Sequence, residues 1–583
     1  MAAVRWIAAA IWASVQPVRS CPIMKKYLSL TKILNLLLFI FVLYFCCLPV
    51  LSVILYGIGG EGRGIDSADF LRILEMLKNS ISLAFSVTVA AVLLGTTATF
   101  ALHRVKFKGR RILQTLMLLP LVNPAFVGSI SFIMLFGKRG LITHTLLGLN
   151  VSPFGWHGVF FLQLIGSTTL AYLVISGAVH NMDVSLEDAA RNLGANEKTV
   201  LLKITLPLMV PEITAAALLV FLGSMADFTT PLVIGGNFRT LAADLYILIT
   251  GRYDMKLASL SGIVLLMPCF AAFILQRHFS KMKKYISDQT ANKGIEYSHV
   301  RPWIKRALLI TVSMMLFLFI INILFVFAGA FTVSWGSNYA FTLAHVKTAF
   351  STDIQKYIKP LANSILLSIA TGFGSSLIGV LTAYGIQRRK IRCAKLLDAL
   401  AMLPAAVPGI LFGIGYLVTF KYPLFGIGKY IFTSLPPLIL LGTSLIIYIV
   451  CIARNINLSM KNCYALLEHI DPDIEKAALN LGASQIQMYW HVVLPLLKDA
   501  FINSYIKVFS ATMTSLGVII FLLMPKNKVI VQVLFQSMTG GLSLGVPAVL
   551  ALALSLVTLL LMLLFSLLAY GKDAWKNMRR FDQ

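Results

Sequence analysis

Leu186 to Pro207 reads L-E-D-A-A-R-N-L-G-A-N-E-K-T-V-L-L-K-I-T-L-P, and Ile474 to Pro495 reads I-E-K-A-A-L-N-L-G-A-S-Q-I-Q-M-Y-W-H-V-V-L-P. Glu187 matches Glu475, Gly194 matches Gly482 and Pro207 matches Pro495, every pair 288 positions apart, so the register holds without a gap. Both copies are polar islands between long apolar runs. Each predicts two short helices hinged at a glycine. Asp183 and Asp471 are placed as N-caps, Pro472 suits a first helical position, and Glu187, Asp473 and Glu475 lie near a positive helix end. Gly194 and Gly482 would close the first helix in a left-handed C-cap, with Asn196 or Ser484 starting the next. Ala189-Ala190 and Ala477-Ala478 keep one face small enough for another backbone to approach. One copy alone would read as an amphipathic connector between membrane helices; two in register favour a docking element.

Both segments resemble the E-A-A, three residues, G, nine residues, I-x-L-P signature of permease subunits from ABC-type importers. The matching residues are Glu187, Ala189, Ala190, Gly194, Ile204, Leu206 and Pro207, then Glu475, Ala477, Ala478, Gly482, Leu494 and Pro495. Asp188 and Lys476 stand directly before Ala-Ala, and Val492 replaces Ile204. The resemblance implies a cytoplasmic coupling helix that fits a groove on an ATP-hydrolysing subunit.

Composition sets the class independently. A 583-residue chain that is 58% hydrophobic and 13% charged, with mean hydropathy +0.84, has more apolar surface than a water-soluble core can hide. It belongs in a bilayer, with membrane lipid around it. The net charge of +27 sits in short loops flanking apolar runs, which is positive-inside patterning rather than a nucleic-acid-reading module. Seven cysteines show no C-x-x-C pair, and Cys46, Cys47, Cys269 and Cys451 lie inside apolar runs, so neither a disulfide framework nor a metal cluster is implied.

Spanning takes roughly 20 apolar residues. Runs near 33–56, 80–102, 112–136, 158–179, 208–235 and 258–276 are followed by runs near 306–331, 362–386, 396–420, 433–453, 496–524 and 546–570. The expected fold is an all-α polytopic membrane protein of about twelve transmembrane helices in two parallel six-helix repeats. Asn79-Ser80 matches Asn363-Ser364, Gly95 matches Gly379, and Leu119-Pro120 with Pro124 matches Leu403-Pro404 with Pro408, all 284 apart. The change from 284 to 288 is assigned to a longer stretch around Arg454 to Ile470, and the two asparagines read as helix N-caps. The expected organisation is an N-terminal extension (1–24), a first permease domain (25–280), a cytoplasmic linker (281–304) and a second permease domain (305–583). Met24-Lys25-Lys26 before an apolar run reads as a fresh start, and an amphipathic N-terminal helix is the other reading of residues 1–23.

Basic clusters after the second span (Arg104, Lys106, Lys108, Arg110, Arg111) and at the equivalent place later (Arg388, Arg389, Lys390, Arg392, Lys395) belong in the cytoplasm. Span parity then puts both repeated segments on the cytoplasmic side, without use of the motif. No G-x-x-x-x-G-K-S/T occurs, so no cofactor is expected on this chain, and ATP would be used by a partner subunit.

Asp227, in A-D-F-T-T-P-L-V-I-G-G, is the ionisable residue that stands out within a span, where an acid costs about 2.5–3.5 kcal/mol on insertion scales. Thr229 and Thr230 beside it, with Ser510, Thr512, Thr514 and Ser515 in the corresponding later span, form a candidate substrate path. The other reading has the hydroxyls bonding their own helices and Asp227 pairing near the outer interface. No catalytic or metal-binding constellation is read.

The function expected is the permease subunit of an ATP-driven importer in a bacterial inner membrane. It would engage two copies of an ABC ATPase and take solute from an extracytoplasmic binding protein. The fused architecture and the A-D-F-T-T-P-L-V-I-G-G segment resemble the ferric-iron branch, whose relatives carry phosphonate, thiamine, sulfate or polyamine. An ion-coupled secondary transporter is the rival class, and it predicts ionisable residues deep in several spans.

Overall fold

The protein is described from a computed structural model, which covers residues 35–60, 66–121, 125–149, 153–180, 185–287, 302–351, 354–388, 393–421, 440–539 and 543–581. The expected N-terminal extension, the Met24 start, the Asp183 cap and residues 288–301 of the linker lie outside the described residues. The chain is almost wholly helical. Among the described residues its strands are one hairpin, Thr332–Ser334 with Asn338–Phe341.

The first half contributes α1 (Asn35–Gly59), α2 (Ser67–Arg104), α3 (Ala125–Phe136), α4 (Trp156–His180), α5 (Leu206–Ala226) and α6 (Met255–Ser287). The second contributes α7 (Pro302–Ala330), α8 (Lys359–Arg388), α9 (Ala394–Ala406), α10 (Gly409–Lys421), α11 (Ser444–Leu467), α12 (Lys498–Thr514) and α13 (Gly545–Phe581). Among the described residues ten helical stretches are long and apolar enough to span, an eleventh is the α9–α10 pair bent by 111°, and α12 has 17 residues. That set is compatible with twelve crossings.

Several boundaries differ from expectation. Instead of one span over 112–136, a short helix Arg110–Leu116 precedes α3, and the next 21-residue apolar stretch is Phe126–Leu146. The span expected at 433–453 is α11, which begins at Ser444 as α4 begins at Trp156, 288 positions earlier. Close packing fixes the same register. A Cβ on Gly95 would lie 2.7 Å from the Ala171 Cβ, and one on Gly379 would lie 2.5 Å from the Ser459 Cβ. The four extra residues therefore fall before Ser444, and Arg454–Leu467 is membrane helix rather than a lengthened loop. α6 continues through Ser287 into the expected linker.

The spans expected over 208–235 and 496–524 are both broken, at Asp227 (φ −75°, ψ 113°) and Ser515 (φ −82°, ψ 130°), again 288 apart. Extended backbone there ends the helical ladder and turns polar groups inward. Such irregular backbone is tolerated at membrane depth only where it is buried in protein or lines a cavity.

Asn79-Ser80 and Asn363-Ser364 are not N-caps of their own helices, since they lie inside α2 and α8. They cap other elements: Leu241 N–H donates to Ser80 Oγ (2.8 Å) and Ile530 N–H to Ser364 Oγ (2.9 Å). Asn79 and Asn363 donate to the Arg239 and Lys528 carbonyls at 3.2 and 3.0 Å.

The halves also exchange their first helices. Tyr416 of α10 donates to the Phe45 carbonyl of α1 (2.7 Å), where Gly415 meets Pro49, while Gly329 of α7 abuts Met134 of α3 and Trp335 Nε1 donates to the Met134 carbonyl (2.8 Å). One continuous core thus includes residues of both repeats.

Candidate coupling segments and translocation cavity

The repeated segments fold alike. In the first, helix Ser185–Asn192 ends at Gly194 (φ 86°), where Gly194 N–H bonds Arg191 O (2.9 Å) and Ala195 N–H bonds Ala190 O (3.0 Å). In the second, helix Asp473–Asn480 ends at Gly482 (φ 89°) with the same bonds to Leu479 and Ala478, each 3.1 Å. This is the Schellman closure expected of a left-handed glycine. Asn196 Oδ1 caps the next helix through Thr199 N–H (2.8 Å); Ser484 and Gln487 form a reciprocal capping box (2.9 and 3.2 Å). Asp471 accepts from Asp473 N–H (2.9 Å), and Pro472 stands one residue before the helix.

Pro207 and Pro495 have a local effect too. Each follows a wide, i→i+5-type turn, Leu201–Thr205 and Tyr489–Val493. A proline lacks N–H and its ring crowds the carbonyl four residues back, so the ladder opens there.

The two glutamates of the motif turn toward the protein. Glu187 is 2% exposed, receives Arg104 through two bonds (2.9 and 3.1 Å), and accepts from Thr205 Oγ1 (2.7 Å). Glu475 is half-buried; Arg388 Nε stands 3.6 Å away and Tyr384 O–H donates at 3.0 Å. Ala189 and Ala477 are exposed, Ala190 and Ala478 half-buried, and Asp188 pairs with Arg191 (2.8 Å). Sequence reasoning missed Leu193 and Leu481. They are 89% and 88% exposed and 288 positions apart, the signal being a leucine repeated just before each hinge glycine. Leu186 and Ile474 are a second matched pair, 49% and 43% exposed.

The broken helices meet at a cavity of about 190 Å³ lined by Asp227, Thr229, Thr514 and Ser515, by Phe126 and Ile410, and by Arg454. Thr230 and Thr512, expected on the path, are 6% and 5% exposed and do not line it. Asp227 Oδ1 accepts from Thr229 N–H (3.0 Å), Thr229 Oγ1 (2.8 Å) and Thr230 N–H (3.2 Å), and Oδ2 accepts from Gln163 (3.0 Å). The carboxylate thus holds the break through Oδ1 and is anchored to α4 through Oδ2. Thr514 Oγ1 bonds back to the Ser510 carbonyl (3.2 Å), and Ser510 itself does not line the cavity. Sequence reasoning placed Arg454 in a loop, and only the alignment of α11 with α4 brings it into the cavity. Among the described residues no three His, Cys, Asp or Glu side chains converge where a metal ion could be held.

A bundle of two like halves, with matched elbows and a cavity at their broken helices, defines a membrane transport component. The chain belongs to the family of binding-protein-dependent transport system inner membrane components, whose model matches residues 88–285 and 375–573. It is similar to the ferric transport system permease protein FbpB of Actinobacillus pleuropneumoniae, 26% identical over 87% of this chain and 73% of the relative. It is also similar to the putative ferric transport system permease protein FbpB 1 of Haemophilus influenzae, at 27% over 85% and 77%. The molybdenum transport system permease protein ModB of Escherichia coli is 33% identical over 30% of this chain and 78% of its own length. The chain is therefore a permease subunit of an ABC importer in the bacterial inner membrane. It is not an enzyme; ATP hydrolysis falls to a separate subunit, and a solute-binding protein is its other partner.

Proposed function

We propose that this permease imports ferric iron by alternating access, with Leu186–Pro207 and Ile474–Pro495 each engaging one copy of the ATPase. The observation that carries the coupling role is the matched pair of Leu193 and Leu481, exposed beside a rigid left-handed hinge on the cytoplasmic side. Glu187, Asp188, Ala189, Ala190, Gly194 and Pro207 build the first elbow, and Glu475, Ala477, Ala478, Gly482 and Pro495 the second. ATP-driven closure of the two partner subunits moves both elbows and rocks the bundles between outward-open and inward-open states. Solute from the extracytoplasmic binding protein passes the cavity at Asp227, Thr229, Thr514 and Ser515. The chain itself binds no cofactor, and lipid surrounds its outer faces.

Iron is favoured as cargo by the names of the two relatives that cover most of the chain, and molybdenum by the shorter match. Uptake of ⁵⁵Fe and of labelled molybdate in cells with and without the gene tests this. Loss of iron uptake alone is expected; intact iron uptake alongside lost uptake of molybdate, phosphonate or polyamine would reject the iron reading.

A further inference from the structure

The cavity carries both signs of charge, Asp227 at the break after α5 and Arg454 on α11. Arg454 uses one of its N–H donors on the Val407 carbonyl (2.8 Å), and no carboxylate pairs with it among the described residues. Seven residues further toward the cytoplasm on the same face of α11, about 10 Å along the axis, stands Lys461, which is exposed. At that level Lys507 of α12, also exposed, donates to Asn462 Oδ1 (3.1 Å), whose amide donates to Ser504 Oγ (3.1 Å). A cation inside a membrane helix faces protein or water rather than lipid.

In the other half the positions 288 earlier are Gly166, Leu173 and Leu219. The repeat there is apolar, so these three cations are not part of what the fold requires. Among the described residues Asp227 forms no ion pair with any of the three; it accepts from Gln163, Thr229 and Thr230, and one carboxylate against three cations leaves the route net positive. The other acids on the helices concerned, Glu212 of α5 and Asp499 of α12, lie toward their cytoplasmic ends.

We infer that Arg454, Lys461 and Lys507 form an anion track from the cavity toward the cytoplasm, and that the solute crosses as an anion. Arg454 receives it first. A planar guanidinium with free donors fits the oxygens of a carboxylate or oxyanion, whereas a bare trivalent cation would be repelled. Resting on the iron reading above, this makes the cargo an anionic ferric complex, with metal and anionic ligand entering together.

The test uses the permease with its ATPase and binding protein in proteoliposomes, citrate being the sole multivalent anion outside, and follows ⁵⁵Fe and ¹⁴C-citrate supplied as one complex. Both labels are expected to enter together. Uptake should fall in the order wild type, Arg454→Lys, Arg454→Gln, Arg454→Glu, the glutamine variant losing about tenfold or more, as for one charge-assisted hydrogen bond. Co-purification of the ATPase with each variant reports assembly. Iron entering without citrate in the wild type, which needs no variant to fold, overturns the anion track. So does Arg454→Gln or Arg454→Glu transporting as fast as wild type. If neither label enters but ⁹⁹Mo-molybdate does, and Arg454→Gln slows it, the iron reading fails while the track stands.

Discussion

The first coupling segment is clamped and the second is loosely held. Glu187 is buried under Arg104 and Thr205, and Arg191 ties its helix to the next through Glu197 (2.9 Å). At the matching positions Glu475 has a longer approach from Arg388 and one tyrosine bond, Val493 stands where Thr205 would, and Leu479 where Arg191 would. Arg388 divides itself, since its guanidinium also donates to the Leu467 and Ile470 carbonyls. The lesson is that a repeat preserves the hinge while the anchoring differs. The first elbow is tied to α2 by a two-bonded buried pair, the second to α8 by one longer approach and one tyrosine bond.

The largest expected effect comes from the clamp. Arg104→Ala removes the two-bonded partner of buried Glu187 and leaves it Thr205 and Arg191 at 3.6 Å, a loss of about 3–5 kcal/mol, whereas Arg388→Ala, whose guanidinium is already 3.6 Å from the mostly buried Glu475, is expected to cost about 1–2 kcal/mol. Thermal unfolding of the purified complex reads the difference, and equal losses would erase the asymmetry. Next come the hinges. Gly194→Ala and Gly482→Ala each force a side chain into the left-handed region at about 1–2 kcal/mol, with open space around both, so the two should be alike in stimulated ATP hydrolysis. Unequal losses would show that the hinges as well as the anchors have diverged.

Thr205→Val makes the first anchor resemble the second and should cost about 1.5 kcal/mol, by removal of one hydrogen bond to a carboxylate. Hydrogen exchange in Ser185–Asn192 should rise toward that of Asp473–Asn480; no change would mean that Thr205 does not matter to the clamp. The smallest effect belongs to Arg191→Leu. Its bonds to Asp188 and Glu197 are largely surface pairs and its approach to Glu187 is a longer 3.6 Å, so a change within about 1 kcal/mol is expected in the same exchange measurement, and a larger one would place the clamp at Arg191 instead.

The hinges and their caps were legible in the sequence because they depend on local chemistry: a glycine for positive φ, an Asn or Ser for the next cap, a proline to open the ladder. The membrane class and the doubled architecture were legible from composition and register. What was hidden depends on contacts between distant residues. A run of apolar residues does not reveal that Asp227 and Ser515 interrupt it, because four bonds from Gln163, Thr229 and Thr230 hold the break. Hydropathy also shifted the tenth span toward the more apolar 433–453 and so put Arg454 in a loop. The crossing of α1 and α7 onto the opposite halves leaves no local signal, since a lipid-facing and a protein-facing apolar helix read alike.

The central claim is that two elbows on one chain each dock one copy of a motor made elsewhere. Native mass measurement of the complex, with Leu193→Asp, Leu481→Asp and the double variant, tests it most directly. The account predicts two ATPase copies on the wild type, one on each single variant and none on the double. Two copies retained on the double variant would contradict it.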